Sequence, residues 1–189
     1  MTDTEPPEGL NGDMRMIILE DTRQQADKHR IKHKWFAENG VQIERCRLYV
    51  GDYTLPTNQS ICIDTKKDLQ ELIQDVTQQH ERFKRELLRA KEAGIKLVIL
   101  VEHGEDITDL ESVYFWQNPR KHEIRWRINK VTGQKEKYFV SPKAVDGKQL
   151  YKSLCTIQER YGARFEFCTK DQTGRRIMEI LQDGEAQRL

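Results

Sequence analysis

The sequence predicts an α/β domain in which helices flank a mixed central sheet. Five short segments are rich in strand-forming residues, and they occupy 16–21, 41–50, 60–66, 95–101 and 163–168. Apolar residues recur at helical spacing between most of these segments, so strands alternate with helices. One pair of segments is predicted to form a hairpin and the others to be parallel strands joined by crossovers, which together give a mixed sheet.

The length and composition indicate one globular domain. The chain has 189 residues, of which 37% are hydrophobic and 33% are charged, and this length suits one compact core. Residues 1–14 combine acidic side chains with two prolines, so we expect a disordered acidic leader there. We assign 15–182 to a single domain with an insertion at about 105–149, and 183–189 to a tail.

The first half of the domain begins with the apolar run 16–19, which suits a buried strand. A helix is expected to follow and to end near Gly40, since glycine is common just after helix C-termini. In the next segment, 41–50, the apolar residues shift phase after Arg45, as a β-bulge allows. Turn-forming residues then separate this segment from 60–66, and the two segments are predicted to pair as a hairpin.

The second half of the domain returns to helical spacing. The apolar residues of the first helical stripe are Leu69, Leu72, Ile73 and Val76. A second helical stretch, whose alternating charges are typical of a solvated face, runs to Gly94. The continuous apolar run 95–101 indicates a strand buried on both faces, at the centre of the sheet. A helix containing 150–157, the strand 163–168 and a last helix containing 177–181 complete the domain.

The sequence argues against several other classes of protein. No run approaches the roughly 18 apolar residues that a membrane-spanning helix needs, and the N-terminus lacks the pattern of a signal peptide. We therefore expect a cytoplasmic or nucleoid-associated protein with no membrane partner. The cysteines occur singly, so we expect reduced core residues and neither a zinc ribbon nor a disulfide framework. They are Cys46, Cys62, Cys155 and Cys168.

A candidate metal site lies in the segment 60–66. Alternation along a strand places Asp64 and Lys66 on the same face, and Asp52, at the start of the hairpin, can lie opposite Asp64. Two carboxylates that face each other repel and need a cation, and oxygen ligands suit Mg²⁺ or Mn²⁺. The metal would lower the pKa of a bound water, while Lys66 would orient that water or neutralise charge on a phosphate. Taken alone, the Asp-x-Lys tripeptide also fits an ordinary polar strand face.

Several motifs follow one another along the chain. They are Asp21-Thr22-Arg23-Gln24, Gly51-Asp52-Tyr53, Asp64-Thr65-Lys66, a helical segment with Gln78, Gln79 and Arg82, and Leu100-Val101-Glu102-His103-Gly104. This order resembles the nuclease domain of the XPF type, a branch of the PD-(D/E)XK nucleases, over roughly 16–104 and again over 150–182. Asp64 stands where the family has Glu, Thr65 where it has Arg, and Gln24 where it has the Glu of D-x-R-E.

The resemblance implies a restriction-endonuclease-like fold and a Mg²⁺-dependent DNA endonuclease, with Mn²⁺ able to substitute. It implies phosphodiester hydrolysis in branched, flap or junction DNA during repair or recombination. The implied residues are Asp21, Asp52, Asp64 and Lys66 for catalysis, Asp21, Asp52 and Asp64 for the metal, and Arg23 and Arg82 for DNA. The alternative is a catalytically inactive DNA-binding or scaffold module of the same fold. A small, self-contained nuclease domain is also typical of phage or mobile-element proteins.

The insertion contains a strongly basic segment. Residues 120–143 hold eight basic and two acidic side chains, a local net charge of +6. Aromatic residues are interleaved, so the segment is suited to bind phosphates and to stack on an unpaired base. The predicted DNA contacts are Lys121, Arg125, Trp126 and Arg127. The same composition also fits a solvated hairpin or one that packs on a partner protein. We expect no helix-hairpin-helix module of the kind that often accompanies this family, and we expect duplex binding to come from the insertion, a homodimer or a partner.

Overall fold

The structure is a computed structural model and describes residues 16–24 and 29–186. Its strands are β1 (Met16–Asp21), β2 (Val41–Cys46), β3 (Tyr53–Thr54), β4 (Ile61–Lys66), β5 (Lys96–Glu102), β6 (Ile124–Ile128), β7 (Lys135–Phe139) and β8 (Arg164–Cys168). Its helices are α1 (Arg30–Glu38), α2 (Leu69–Val76), α3 (His80–Glu92), α4 (Leu110–Val113), α5 (Gly147–Tyr161) and α6 (Thr173–Ala186), and a 3₁₀ turn spans Pro119–Lys121. The acidic leader predicted for 1–14 lies outside the described residues. The tail predicted from residue 183 is helical as far as Ala186.

The central sheet has the strand order β2-β1-β3-β4-β5-β8. Strand β1 pairs in parallel with β2, β4 with β5 and β5 with β8, whereas β3 runs antiparallel to both β1 and β4. Helices α1 and α6 pack on one face of the sheet, and α2, α3, α4 and α5 pack on the other. The predicted α/β fold with a mixed central sheet flanked by helices is therefore confirmed.

The reversed direction of β3 determines which residues meet. Parallel strands present their carboxyl ends at one edge of a sheet, and an antiparallel strand presents its amino end there. Asp21 and Glu102 end β1 and β5, Lys66 ends β4, and Asp52 directly precedes β3. These four charged residues consequently lie along the same edge of the sheet.

The hairpin differs from the one predicted. We expected 41–50 to be one strand that pairs with 60–66, but β2 ends at Cys46 and lies beyond β1 at the edge of the sheet. The strand that pairs antiparallel with β4 is the two-residue β3. The phase shift after Arg45, which we interpreted as a bulge, marks the end of a strand.

The backbone between β2 and β3 explains this difference. It turns across the end of β1, where the Leu48 N–H donates a 2.9 Å hydrogen bond to the Asp21 carboxylate and so makes no ladder of its own. Gly51 then adopts a φ of +71°, and a Cβ at this position would lie 2.9 Å from the Ile63 carbonyl oxygen. Only glycine allows this turn and this close approach, which bring the chain to the far side of β1.

Strand β5 is buried on both faces, as its continuous apolar run predicts. Val98 and Leu100 belong to the cluster under α1 and α6. Ile99 and Val101 belong to the cluster under the other helices. Strand β4 also contributes to both clusters, with Cys62 on one face and Ile63 on the other. The predicted central position of β5 is wrong, because β5 is the fifth of six strands and adjoins the edge strand β8.

The insertion predicted at about 105–149 contains a hairpin separate from the central sheet. Strands β6 and β7 pair antiparallel with each other and form their own two-stranded sheet. At its root, the buried Asn118 donates to the Val145 carbonyl (2.7 Å) and accepts from Gln70 Nε2 on α2 (2.6 Å). We call this element the β6–β7 hairpin.

Two further expectations concern the chain as a whole. In the part of the chain that the structure describes, no helix has both the length and the apolar character needed to cross a membrane. All four cysteines are free thiols, with Cys62 and Cys168 buried and Cys46 and Cys155 half-buried.

Gly147, the first residue of α5, provides a test of how the insertion packs. A Cβ there would lie 2.3 Å from the Val113 carbonyl oxygen and 2.5 Å from that of Trp116. We expect Gly147→Ala to lower the free energy of unfolding by about 1–3 kcal/mol through overpacking, measured by urea denaturation. The exposed Lys152→Ala on the same helix should change it by less than about 0.5 kcal/mol. Equal stability of the two variants would contradict this packing.

Candidate active site

Strand β4 presents two buried charged side chains to α2 and α3. Asp64 is 5% exposed and Lys66 is 7% exposed. The Lys66 Nζ lies 2.7 Å from Asp64 Oδ2, 2.8 Å from Asp75 Oδ2 on α2, and 5.6 Å from the ring centre of Phe83 on α3. Thr65, between them, contacts α1 on the opposite face of the sheet. The alternation predicted for this strand is observed.

The environment shifts the pKa values of both groups. Desolvation raises the pKa of Asp64 from 3.8 to about 8, with the positive charge of Lys66 acting against this shift and the carboxylates of Asp52 and Glu86 adding to it. Burial also opposes the charged form of Lys66, but the carboxylates of Asp64 and Asp75 outweigh it and raise the pKa of this lysine. The site thus holds a permanent ammonium beside a carboxyl group that ionises with difficulty until more positive charge arrives.

Asp52 lies opposite Asp64 in the register that pairs β3 with β4. Its Oδ2 accepts hydrogen bonds from the backbone N–H (2.8 Å) and the hydroxyl (2.7 Å) of Thr65. Its backbone N–H donates to the Ile63 carbonyl (2.6 Å), and its carbonyl accepts from the Asp21 N–H (2.8 Å). These bonds join the ends of β1 and β4 and hold the Asp52 carboxylate in one orientation.

Asp21 ends β1 nearby, and its carboxylate is already engaged. Arg23 donates to Oδ1 from its backbone N–H and Nε, and to Oδ2 from Nη2, each at 2.7 Å. The Leu48 N–H donates to Oδ2 at 2.9 Å. Burial opposes ionisation, but the hydrogen bonds from Arg23 and Leu48 outweigh it and lower the pKa of Asp21. Asp21 therefore stays ionised through protein donors alone and positions the Arg23 guanidinium.

These side chains line one cleft with a volume of about 280 Å³. Its acidic residues are Asp21, Asp52, Asp64 and Glu86, and its basic residues are Arg23, Arg82, Arg85 and Arg89. Glu86, on α3, also accepts a hydrogen bond from the Gly51 N–H (3.1 Å). The cleft combines oxygen ligands for a cation with guanidinium groups that attract an anionic substrate.

A second cleft, of about 640 Å³, adjoins the first, because Arg23, Gln24 and Arg82 line both. Unlike the first cleft, it is mainly basic, although Glu71 and Glu102 line it. Its further basic residues are Lys32, Lys67 and Lys170. The basic residues of the two clefts thus continue from one cleft to the other past the carboxylates.

Lys32 supports the site from the opposite face of the sheet. It is a buried residue of α1, and its Nζ lies 3.3 Å from Thr65 Oγ1 and 3.5 Å from Glu102 Oε1. Since the Thr65 hydroxyl in turn donates to Asp52, α1 helps to orient that carboxylate.

The donor set suits a divalent cation of the magnesium class. The ligands available in the cleft are carboxylates, with no imidazole or thiol among its lining residues. Across residues 16–24 and 29–186, no three carboxylate, imidazole or thiol side chains converge closely enough to hold an ion by themselves. Mg²⁺ commonly takes one or two carboxylates and completes its shell with water and phosphate oxygens. Asp52 and Asp64 fit that pattern, whereas both oxygens of Asp21 already accept N–H donors.

The predicted DNA contacts fall into two groups. Arg23 and Arg82 line the cleft of the carboxylates. The others lie on or beside the β6–β7 hairpin and line neither cleft. There Lys121 pairs with Asp146 (2.9 Å), Arg125 with Glu123 (2.6 Å) and Arg127 with Glu136 (2.7 Å), and Trp126 is 55% exposed.

Sequence analysis missed three charged residues that shape the site. They are Lys32 on α1, Asp75 on α2 and Glu86 on α3. Lys32 is four residues before the buried Phe36, and Asp75 and Glu86 follow the buried Leu72 and Phe83 by three residues. A charged residue on the apolar stripe of a helix needs a partner, and this was the available signal.

Comparisons with known proteins agree with this architecture. A family model described as the ERCC4 domain matches residues 21–179, so the chain belongs to the ERCC4 domain family. The predicted XPF-type nuclease domain is confirmed. No curated protein sequence matches the chain.

Two solved structures share the fold. XPF from Aeropyrum pernix has 16% sequence identity and a TM-score of 0.54, with 89% of this chain and 61% of that chain covered. XPF from Aeropyrum pernix in complex with DNA has 18% identity and a TM-score of 0.58, with 93% and 68% covered. This chain thus spans about three fifths of the length of the first of these structures.

The raised pKa of Asp64 makes the stability of the metal-free protein depend on pH. The unfolded chain loses this proton near the ordinary pKa of 3.8, but the folded chain keeps it up to about pH 8, so stability falls as the pH rises through that interval. Asp64→Asn removes the ionisation. In EDTA we expect this variant to be more stable than the wild type by about 0.5–2 kcal/mol at the alkaline end, and equal to it below the ordinary pKa.

Urea denaturation across this pH range measures the difference. The exposed Asp183→Asn is the control for the carboxyl-to-amide change and should track the wild type at every pH. A stability difference for Asp64→Asn that does not change with pH would show that Asp64 ionises normally.

Proposed function

We propose that the chain is a metal-dependent DNA endonuclease that hydrolyses phosphodiester bonds in branched, flap or junction DNA, in repair or recombination. The proposal rests on one arrangement: Asp52 and Asp64 share a cleft with four arginines, and Lys66 lies beside Asp64. The carboxylates suit a cation, the lysine provides a constant positive charge, and the arginines suit phosphates. Membership of the ERCC4 domain family and the fold shared with an XPF structure in complex with DNA support it.

Asp52 and Asp64 would hold Mg²⁺, and Mn²⁺ would substitute for it because both metals accept carboxylate oxygens. A bound divalent ion polarises a phosphate and lowers the pKa of a bound water. Asp52 is oriented for this role in advance by its two hydrogen bonds from Thr65. Asp64 releases its proton once a cation supplies the positive charge that the buried site lacks.

Lys66 acts as a hydrogen-bond donor and as a fixed positive charge. Its Nζ lies within 2.8 Å of both Asp64 and Asp75, and an ammonium carries three N–H groups, so it can also donate to a phosphate oxygen or to the attacking water. Its raised pKa keeps it protonated, so it is suited to neutralise charge that develops on the phosphate, and it is not suited to be a general base.

The arginines of the cleft bind the phosphates that flank the scissile bond. Arg23 is already oriented, because Asp21 accepts two of its side-chain N–H groups. Arg82 lines both clefts, so it would contact the DNA where the two clefts join. A guanidinium fixed in this way loses less freedom when it binds a phosphate.

Substitutions at the centre of the cleft test the proposed activity. We expect Lys66→Gln and Asp64→Asn to lower the cleavage rate by about 10²–10³-fold or more, the effect of removing a group that stabilises a charged transition state. The measurement is cleavage of end-labelled flap, fork, junction and linear duplex DNA in Mg²⁺ and in Mn²⁺. Lys152→Ala and Asp183→Asn change matched residue types on the surface and should retain wild-type rates.

Two results would defeat the proposed activity. One is a wild-type chain that cuts none of these substrates at any concentration of either metal. The other is an Asp64→Asn chain with undiminished activity. Melting temperatures of all variants show that a lost activity is not a lost fold.

Metal binding itself provides a further test and separates an enzyme from an inactive module. We expect Mn²⁺ titration by calorimetry to release a proton at neutral pH, because the cation displaces the one that Asp64 retains. Titrations in buffers of different ionisation enthalpy measure this proton. Asp64→Asn should bind Mn²⁺ more weakly and release none, whereas Asp183→Asn should match the wild type. A wild-type chain that binds no Mn²⁺ would favour the inactive DNA-binding or scaffold module.

A further inference from the structure

One face of the β6–β7 hairpin is open and carries apolar, aromatic and lysine side chains. Because side chains alternate across a strand, the residues paired across the hairpin share a face. The pairs on this face are Ile124 with Phe139, Trp126 with Lys137, and Ile128 with Lys135. We call it the Trp126 face. Its apolar residues are exposed, from 49% for Ile124 to 70% for Ile128, which is unusual for large apolar side chains grouped together.

The charge of the Trp126 face is only positive. The ammonium groups of Lys135 and Lys137 lie 5.6 Å and 5.1 Å from the centre of the Trp126 ring. The acidic residues of the hairpin are not on this face. Glu136 points to the other side with Tyr138, since it is paired with Arg127.

On the opposite face of the hairpin, each arginine is paired with a glutamate, and Glu136 and Tyr138 are half-buried. Arg127 pairs with Glu136 at 2.7 Å and lies 5.1 Å from the centre of the Tyr138 ring. Arg125 pairs with Glu123 at 2.6 Å. The arginines that sequence analysis favoured for DNA contacts are therefore neutralised within the hairpin, and the lysines of the Trp126 face are better placed.

The root of the hairpin contacts two helices of the main domain, α2 and α5. Asn118 accepts a hydrogen bond from Gln70 of α2, and this helix also carries Asp75, the partner of Lys66. Lys121 pairs with Asp146, the N-cap of α5, at 2.9 Å. The hairpin thus has a defined position relative to the cleft, as a substrate-positioning element requires.

We propose that the Trp126 face binds an unpaired base in DNA, with the base stacked on the indole of Trp126 and the neighbouring phosphates bound by Lys135 and Lys137. This inference rests on the proposed nuclease function and names the feature of the substrate that would be selected. An unpaired nucleotide matches this face because its base offers a flat apolar surface to Trp126 and its phosphates offer negative charge to the lysines. Paired bases offer no free surface for stacking. The two ammonium groups now over the ring are on flexible side chains and can move to the phosphates as the base takes their place.

The test measures DNA binding by the full chain in EDTA, where cleavage does not interfere. One DNA is a fully paired duplex, and the other is the same duplex with a single unpaired 2-aminopurine. Fluorescence anisotropy gives Kd, and 2-aminopurine quenching reports stacking. We expect Trp126→Ala to abolish the quenching and to weaken binding of the unpaired substrate by about 5- to 150-fold, with little effect on the paired duplex. Trp126→Phe should retain much of both properties, which shows that the hairpin tolerates substitution.

Two further variants complete the design. The double change Lys135→Gln with Lys137→Gln should weaken binding of both DNAs and reduce the salt dependence by about two phosphate contacts. Tyr138→Ala, on the opposite face, is the matched aromatic control and should leave both affinities and the quenching as in the wild type.

Wild-type behaviour of Trp126→Ala on the unpaired substrate would overturn the inference, and an acidic protein surface would then be the better occupant. Equal losses for Trp126→Ala and Tyr138→Ala would also overturn it, because the fold of the hairpin and not its open face would then matter. The nuclease proposal fails separately: a chain that stacks the base as described but cuts no DNA keeps this inference and loses the activity.

Discussion

The charge imbalance around Lys66 is the constraint on which the rest of the site depends. One ammonium lies between Asp64 of β4 and Asp75 of α2, with all three residues at most 7% exposed. Taking such groups out of water costs on the order of several kcal/mol per ion, and a buried pair only partly offsets that cost. Here two carboxylates share one cation, and Asp52 and Glu86 add negative charge nearby. The fold therefore maintains a deficit of positive charge that a proton or a metal ion relieves. This cluster of charges lowers the stability of the fold, so cation binding explains its presence better than a contribution to stability does.

The sequence predicts those features of the structure that depend on consecutive residues, and it does not predict those that depend on contacts between distant elements. The alternation in β4 and the apolar run of β5 are properties of six or seven consecutive residues, so both were predicted correctly. Strand β3 has two residues and can show no period, and its pairing with β4 depends on the turn at Gly51. The buried charges on the helices were missed for a related reason. Asp75 is buried because Lys66 reaches it from another element, and a partner of this kind is apparent only once the chain has folded.

Asp21 shows where resemblance and geometry supply different information. The motif order groups it with the metal ligands, while in the structure Arg23 and Leu48 occupy both of its oxygens. Its lowered pKa needs no metal. Arg23 lines both clefts, and Asp21 accepts from its Nε and Nη2 groups. The Nη1 group makes neither of these contacts and can bind a phosphate while Asp21 keeps the guanidinium oriented.

Helix α2 links the cleft to the β6–β7 hairpin. It is eight residues long, and it carries both Gln70, which donates to the root of the β6–β7 hairpin, and Asp75, which pairs with Lys66. The hairpin and Lys66 therefore both contact the same short helix. If DNA on the hairpin favours one position of α2, then by thermodynamic reciprocity occupancy of the cleft must favour the same position of the hairpin with equal free energy. DNA binding at the hairpin and occupancy of the cleft would then be linked through one small displacement of α2.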